Sequence, residues 1–429
     1  MQANVFYLEG PMSEKKTPQP LWTRDFTIIT LGSVISMFGN AMSGFAMSLM
    51  VLDISGSTLL YSIYIAMYTL PQLFMPIVSG AILDRFSRKK TIYTLDFISS
   101  ALYVILAVIL TTGWFSFPVF ALYCLLLGSI ESAYMVAYES FYPLLISEGN
   151  YQKAYSVASI LETFSTIMVP ISTFLYGRFG LTPLLVANGL CCFAAAVLET
   201  RITAEEEYID TQKATAREDH RPVRQVLDDT REGFRYLACE KGLLAIAVYF
   251  AFSAACGGVS SVITLPYFKG TYENGEYWFM AVMAFTVIGR AIGGMVHYRK
   301  QIPAKYRYGI AFAVYILISF GEGFYLFTPI PVMMLILFLD GFGGITSYTI
   351  RVSATQSYVP DEMKGRFNGA FFVLTTIGAL AGEFAAGALS TVVGERMILC
   401  VTMMISAAAA VVLIGGGRKQ VAAIYNRSE

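Results

Sequence analysis

About twelve predominantly apolar stretches, each near twenty residues long and separated by short polar breaks, dominate this chain of 429 residues. A hydrocarbon core about 30 Å thick is crossed by about 20 helical residues, and inside it every backbone N–H and C=O must find its partner within the protein. The runs near 25–50, 58–82, 91–112, 118–140, 154–176, 182–199, 243–267, 277–297, 308–327, 331–353, 367–389 and 395–414 predict an all-α polytopic membrane protein with twelve transmembrane helices. Composition agrees, since only 14% of residues are charged against about 25% in soluble domains.

The positions of the basic residues orient the runs. Lysine and arginine concentrate in the connections on one side, which hold 25 of the 30, against three on the other side (Arg178, Lys269, Arg396) and two within runs (Arg290, Arg351). Because the cytoplasmic side carries the excess of Lys and Arg, both termini are expected in the cytoplasm, with the chain in the cell's inner (cytoplasmic) membrane. Residues 1–20 show no secretory signal pattern. With 30 acidic residues balancing the 30 basic ones, no global field points to nucleic acid. The six cysteines lack ligand spacing and fall mostly inside apolar runs, and His220 and His297 fall in polar connections, so neither a metal site nor a cofactor is expected. No nucleophile and base pair or nucleotide loop emerges, which argues against an enzyme.

The polar interval 200–241 divides the runs six and six. The expected organisation is a cytoplasmic tail (1–24), an N-terminal six-helix bundle (25–199), a cytoplasmic linker with an amphipathic helix (200–242), a C-terminal six-helix bundle (243–414) and a second cytoplasmic tail (415–429). In the linker Val223, Val226, Leu227, Phe234 and Leu237 recur at helical spacing opposite Arg221, Arg224, Arg231 and Arg235, as in a helix lying along the membrane surface or solvated as a spacer. The halves echo each other: Leu145-Ile146-Ser147-Glu148 with Lys153-Ala154 parallels Tyr358-Val359-Pro360-Asp361-Glu362 with Lys364-Gly365-Arg366. Repeats of this kind put a binding site at their interface near mid-membrane.

After the second run the chain reads Gly80-Ala81-Ile82-Leu83-Asp84-Arg85-Phe86-Ser87-Arg88-Lys89-Lys90. This resembles the loop between the second and third helices of major facilitator superfamily transporters. Taken in order, Ser36-Met37-Phe38-Gly39-Asn40, Pro71 and Pro76, Lys153-Ala154-Tyr155-Ser156, Arg231-Glu232-Gly233-Phe234-Arg235-Tyr236 and Val359-Pro360-Asp361-Glu362-Met363-Lys364-Gly365-Arg366 are similar to the exporter branch that includes macrolide efflux pumps and siderophore exporters. The resemblance implies two six-helix bundles working by alternating access, and a conformational gate at Gly80, Asp84, Arg85, Arg88 and Glu139. In that gate Gly80 lets the second and eleventh helices approach, Asp84 sits against the start of the eleventh, and Arg88 pairs with Glu139. Two departures weigh against proton antiport: the fourth run has no arginine, and the fifth has Pro170 without the glycines of the antiporter motif.

Charges inside a membrane helix cost about 2.5–3.5 kcal/mol at its centre, so they are functional candidates. Glu131 lies midway along the fourth run, with Tyr134 and Tyr138 three and seven residues on. Asp340 is its rough counterpart in the tenth run, followed by Gly344, Ser347 and Arg351; Glu162 and Glu383 lie in the fifth and eleventh. Asp53, Glu199 and Glu322 lie near run ends, where water is expected to reach them. Asn40, Tyr64, Tyr68 and Tyr249 belong to polar and aromatic stripes expected to face protein or water, a wall suited to a bulky amphiphile. These residues point to export of amphipathic small molecules by a monomer in the lipid bilayer, with protons as the coupling ion competing with a cationic substrate for a carboxylate. A facilitator, importer or lipid translocator would share the topology, and a non-transporting receptor or scaffold would share it without needing the acids.

Overall fold

The structure, a computed structural model, describes residues 20–76, 87–147, 150, 154, 157, 161, 168, 171–204, 222–300 and 302–427. Among them all regular structure is helical. The first half contributes α1 (Arg24–Ser55), α2 (Thr58–Thr69), α3 (Arg88–Thr111), α4 (Phe117–Phe141), α5 (171–179) and α6 (Leu181–Glu199). A linker helix α7 (Pro222–Cys239) follows. The second half holds α8 (Lys241–Thr271), α9 (Gly275–Arg299), α10 (Ala304–Phe324), α11 (Ile330–Tyr358), α12 (Asp361–Leu389), α13 (Glu395–Ala409) and α14 (Arg418–Tyr425). Ten of these are long and apolar enough to cross a membrane. The expected runs 58–82 and 154–176 lie partly outside the described residues; their described parts are helical at Thr58–Thr69, 71–76 and 171–179, which is consistent with twelve crossings.

The helix ends follow local chemistry. Thr23, Ser57 and Ser87 cap α1, α2 and α3 by accepting from the N–H of Phe26, Leu60 and Lys90 at 3.2, 3.3 and 3.1 Å, satisfying donors that a helix start leaves free. Gly56 adopts φ 57° after α1, a left-handed conformation that glycine enters without penalty, so α2 begins two residues later. Beyond the apolar window the helices continue through polar turns, which is why α8 and α11 exceed the runs that predict them.

The two halves pack alike. Within each, the first helix lies against the sixth, the third against the fourth and sixth, and the second against the fourth. Glycines set the close approaches: a Cβ on Gly128 of α4 would stand 2.3 Å from the Tyr68 carbonyl oxygen of α2, and one on Gly341 of α11 would stand 2.0 Å from that of Thr286 in α9. Apolar clusters fill both bundles.

The linker helix is neither solvated on all sides nor simply laid on a bilayer. Gly233 abuts the Arg366 carbonyl at the start of α12, Glu232 and Arg366 pair at 3.1 Å, and Leu237 enters the core of the second bundle. The expected tail 415–429 likewise holds α14, whose Val421, Ile424 and Tyr425 recur at helical spacing and are buried against that bundle.

The bundles meet in the half of the molecule away from the basic connections. There α2 touches α8 and α12; Phe45 stacks on Phe279 at 6.2 Å, Thr173 meets Met280, and the Lys269 ammonium pairs with Asp53, which also accepts from the Tyr176 hydroxyl at 2.7 Å.

Candidate functional site

A cavity of about 1220 Å³ opens inside the first bundle, walled by α1, α2, α3 and α4. On α1 its lining runs from Ser33 to Ser48, about 22 Å at 1.5 Å per residue. It passes from the level of the contact between bundles to Glu139 and Tyr142, at the basic face. The wall carries Tyr64, Tyr68, Tyr103, Tyr134, Tyr138 and Tyr142, with the carboxyls of Asp96, Glu131 and Glu139, and among the described residues no lysine, arginine or histidine.

In the first bundle Asp96, Glu131 and Glu199 are each held by a hydroxyl from another helix. Tyr68 of α2 donates to Glu131 of α4. Ser36 of α1 donates to Asp96 of α3 at 3.0 Å, and Tyr134 reaches Glu199 at the end of α6 at 3.4 Å. Asn40 is held through Asn188, whose amide donates to Asn40 Oδ1 at 3.1 Å and to Ser43 Oγ at 2.7 Å. Tyr64 donates to the Gly44 carbonyl at 3.1 Å. Tyr134 and Tyr138 stack, with centroids 6.1 Å apart. Such anchoring fixes the wall before any ligand arrives.

The structure brings together Glu131, Asn40, Tyr64, Tyr68, Tyr134 and Tyr138 at this wall, with Glu139 at its mouth. Arg88 reaches the same helix end as Glu139 but donates to the Ser140 carbonyl, at 3.0 Å. Other candidates lie elsewhere. Tyr249 is buried in the second bundle, 4.7 Å from the Tyr315 ring, because its face of α8 packs inward rather than onto the cavity. Arg351 is stacked among Phe250, Phe371 and Tyr348 at 4.6, 4.8 and 5.3 Å. Glu383 sits at the seam between bundles, its carboxyl beside Thr69, a cavity residue of α2. Gly80, Asp84, Arg85 and Glu162 lie outside the described residues.

Asp340 does not line this cavity. It meets the carboxyl of Glu322 on α10, within the second bundle. Glu322 and Glu199 are therefore not wet helix ends: Glu322 faces another acid, and Glu199 is 0% exposed, closed over by Gly32 of α1 and Tyr134 of α4. His297, expected in a connection, lies in the last turn of α9 and meets the Thr346 hydroxyl at 2.6 Å. Asp96 is a site residue that reading by sequence missed, although an acid eight residues into an apolar helix carries the same signal that marks Glu131. Among the described residues no cluster has the composition to hold a metal ion.

Two packed helical bundles, a deep aromatic cavity and acids held away from lipid define a membrane transporter rather than an enzyme. The chain belongs to the Major Facilitator Superfamily, whose family model matches residues 29–383. It is 26% identical over 399 residues to the uncharacterized MFS-type transporter YfiS of Bacillus subtilis, covering 89% of this chain and 91% of that protein. It is 22% identical over 289 residues to macrolide efflux protein A of Streptococcus pyogenes, 66% of this chain and 69% of the relative. The crystal structure of the peptide transporter POT shares the fold, with a TM-score of 0.64 at 11% identity over 93% of this chain and 95% of the other.

Proposed function

We propose that this transporter exports amphipathic small molecules bearing a positive charge, by alternating access and in exchange for protons. The observation that carries the reading is the cavity wall, which among the described residues has six tyrosines and three carboxyls and no basic side chain. A carboxylate in a partly dry cavity needs a proton or a cation beside it, since leaving the charge alone costs several kcal/mol. Substrate ammonium and proton thus become alternative partners of one group, which is the requirement for exchange. Tyrosine faces hold an apolar cation through their rings while their hydroxyls orient it. The relative named as a macrolide efflux protein supports export of bulky amphiphiles. Glu199, Asp340 and Glu383, each with one buried oxygen lacking a hydrogen-bond partner among the described residues, are the acids at which protons are taken up and released away from the substrate.

The excess of basic residues supports placing the start of α1 and α14 in the cytoplasm, with the protein in the inner membrane. The contacts between bundles lie on the opposite face, so the cavity shown is the one loaded from the cytoplasm. The protein works as a monomer, each bundle supplying half of the path.

The test uses purified protein in liposomes with an imposed pH gradient and a lipophilic cation, tetraphenylphosphonium, as probe. Transport should follow the gradient, and Glu131→Gln should reduce kcat/KM at least about tenfold, equivalent to about 1.4 kcal/mol. Flux indifferent to the gradient would replace exchange with facilitation. Unchanged kinetics in Glu131→Gln would remove the carboxylate from the substrate path.

A further inference from the structure

Outside the central cavity, the second bundle carries a separate groove of about 430 Å³ at its basic face, where the start of α10 meets α14. Lys305, Tyr306, Tyr308, Gly309, Arg418 and Asn426 are among its walls, and among the described residues no acid is. Neither Lys305 nor Arg418 makes an ion pair among the described residues. Both cations occupy the first turn of a helix, α10 and α14 respectively, where unpaired N–H groups add partial positive charge. Two side-chain cations, each carried on the first turn of a helix, thus line one recess.

The recess is built. Asn426 accepts the Tyr308 N–H at 2.9 Å, the Tyr308 hydroxyl donates to the Ile414 carbonyl at 3.0 Å, and Tyr425 and Tyr315 join hydroxyls at 2.9 Å beneath it. The short helix α14 is therefore pinned to the bundle, and Arg418 is carried on it. A Cβ on Gly309 would meet nothing within 4 Å, so the wall leaves space. The Lys305 ammonium lies 4.6 Å from the Tyr306 ring centroid.

We propose that this groove binds a phosphate-bearing anion at the membrane surface, presented by the headgroup of an anionic phospholipid. Lys305 and Arg418 supply the charge-assisted hydrogen bonds that a phosphate takes, with the guanidinium fork as the directional member. The position favours a lipid. The outer surface of the same bundle exposes Leu317, Val411 and Val412, 68, 53 and 69% open, and Tyr306 stands 54% exposed at the groove as interfacial tyrosines do. A headgroup here would tie α14 to the bilayer on the face from which the central cavity is entered.

The test compares the full chain, purified in neutral detergent, with a Lys305→Gln/Arg418→Gln variant by native mass spectrometry and thermal unfolding. Phosphatidylglycerol, phosphatidylcholine and inorganic phosphate are added in separate arms. The native chain should retain phosphatidylglycerol adducts at least about fivefold over the variant and unfold several degrees higher with that lipid, while phosphatidylcholine should not distinguish the two proteins. Lys305→Arg should keep the retention, which separates lost charge from lost fold. Inorganic phosphate giving the full shift by itself, with phosphatidylglycerol adding nothing, would assign the same groove to a soluble phosphoryl group. Equal lipid retention by native and variant chains, or none by either, overturns the proposal.

Discussion

At the scale of single residues, the protein shows how a partner on another helix changes what an acid can do. Glu131 accepts from Tyr68, and a hydrogen bond to a charged group contributes about 1.5–3 kcal/mol. Removing that donor leaves the carboxylate less satisfied in the empty site and more available to a substrate ammonium. Tyr68→Phe should therefore lower KM for a cationic substrate a few-fold, whereas Glu131→Gln should raise it; steady-state transport kinetics on both variants decide the sign, and a raised KM in Tyr68→Phe would show that the hydroxyl touches substrate instead. Distance from the end of an apolar run misleads for the same reason. Glu199 closes α6 in sequence, yet α1 and α4 cover it completely, whereas Asp53, also at a run end, stays exposed and holds Lys269 of the other bundle.

Between elements, glycine decides which helices touch. Adjacent positions on α8 make the contrast: a Cβ on Gly258 would lie 2.2 Å from the Ala379 carbonyl of α12, while one on Gly257 would meet nothing within 4 Å. Backbone cannot retreat as a flexible side-chain end can, so Gly258→Ala should cost about 1–3 kcal/mol through separation of the helices. Gly257→Ala should be neutral, or stabilising by up to about 1 kcal/mol through helix propensity. Thermal unfolding in detergent checks the pair, and equal shifts would mean that α8 and α12 separate freely. The same logic explains the tyrosine stripes. Those of α2 and α4 enter the cavity, while that of α8 closes against α10, because the close glycine contacts fix a different rotation for each helix.

For the whole molecule, the question is which face opens. Asp53 and Lys269 bridge the bundles on the face opposite the basic connections, with side chains 45 and 21% exposed, so the pair contributes at most about 1 kcal/mol to closure there. Lys269→Gln should shift the population open on that face by up to about fivefold, read by spin-label distances between the far ends of α1 and α8, and the exchanged pair Asp53→Lys/Lys269→Asp should restore it. An unchanged distance distribution in Lys269→Gln would show that the aromatic contact of Phe45 with Phe279 closes the face without help. The apolar runs and the distribution of basic residues made the crossings and their expected sidedness legible in sequence, because the bilayer imposes a length and a charge rule on each segment separately. The family resemblance added the pairing of the bundles. What no single segment contains is the rotation of each helix about its axis, which glycine-to-carbonyl contacts set between segments far apart in the chain. Tertiary structure alone therefore separated Glu131, at the cavity, from Asp340, against Glu322, and brought Asp96 and Glu199 out of an otherwise ordinary run of membrane helix.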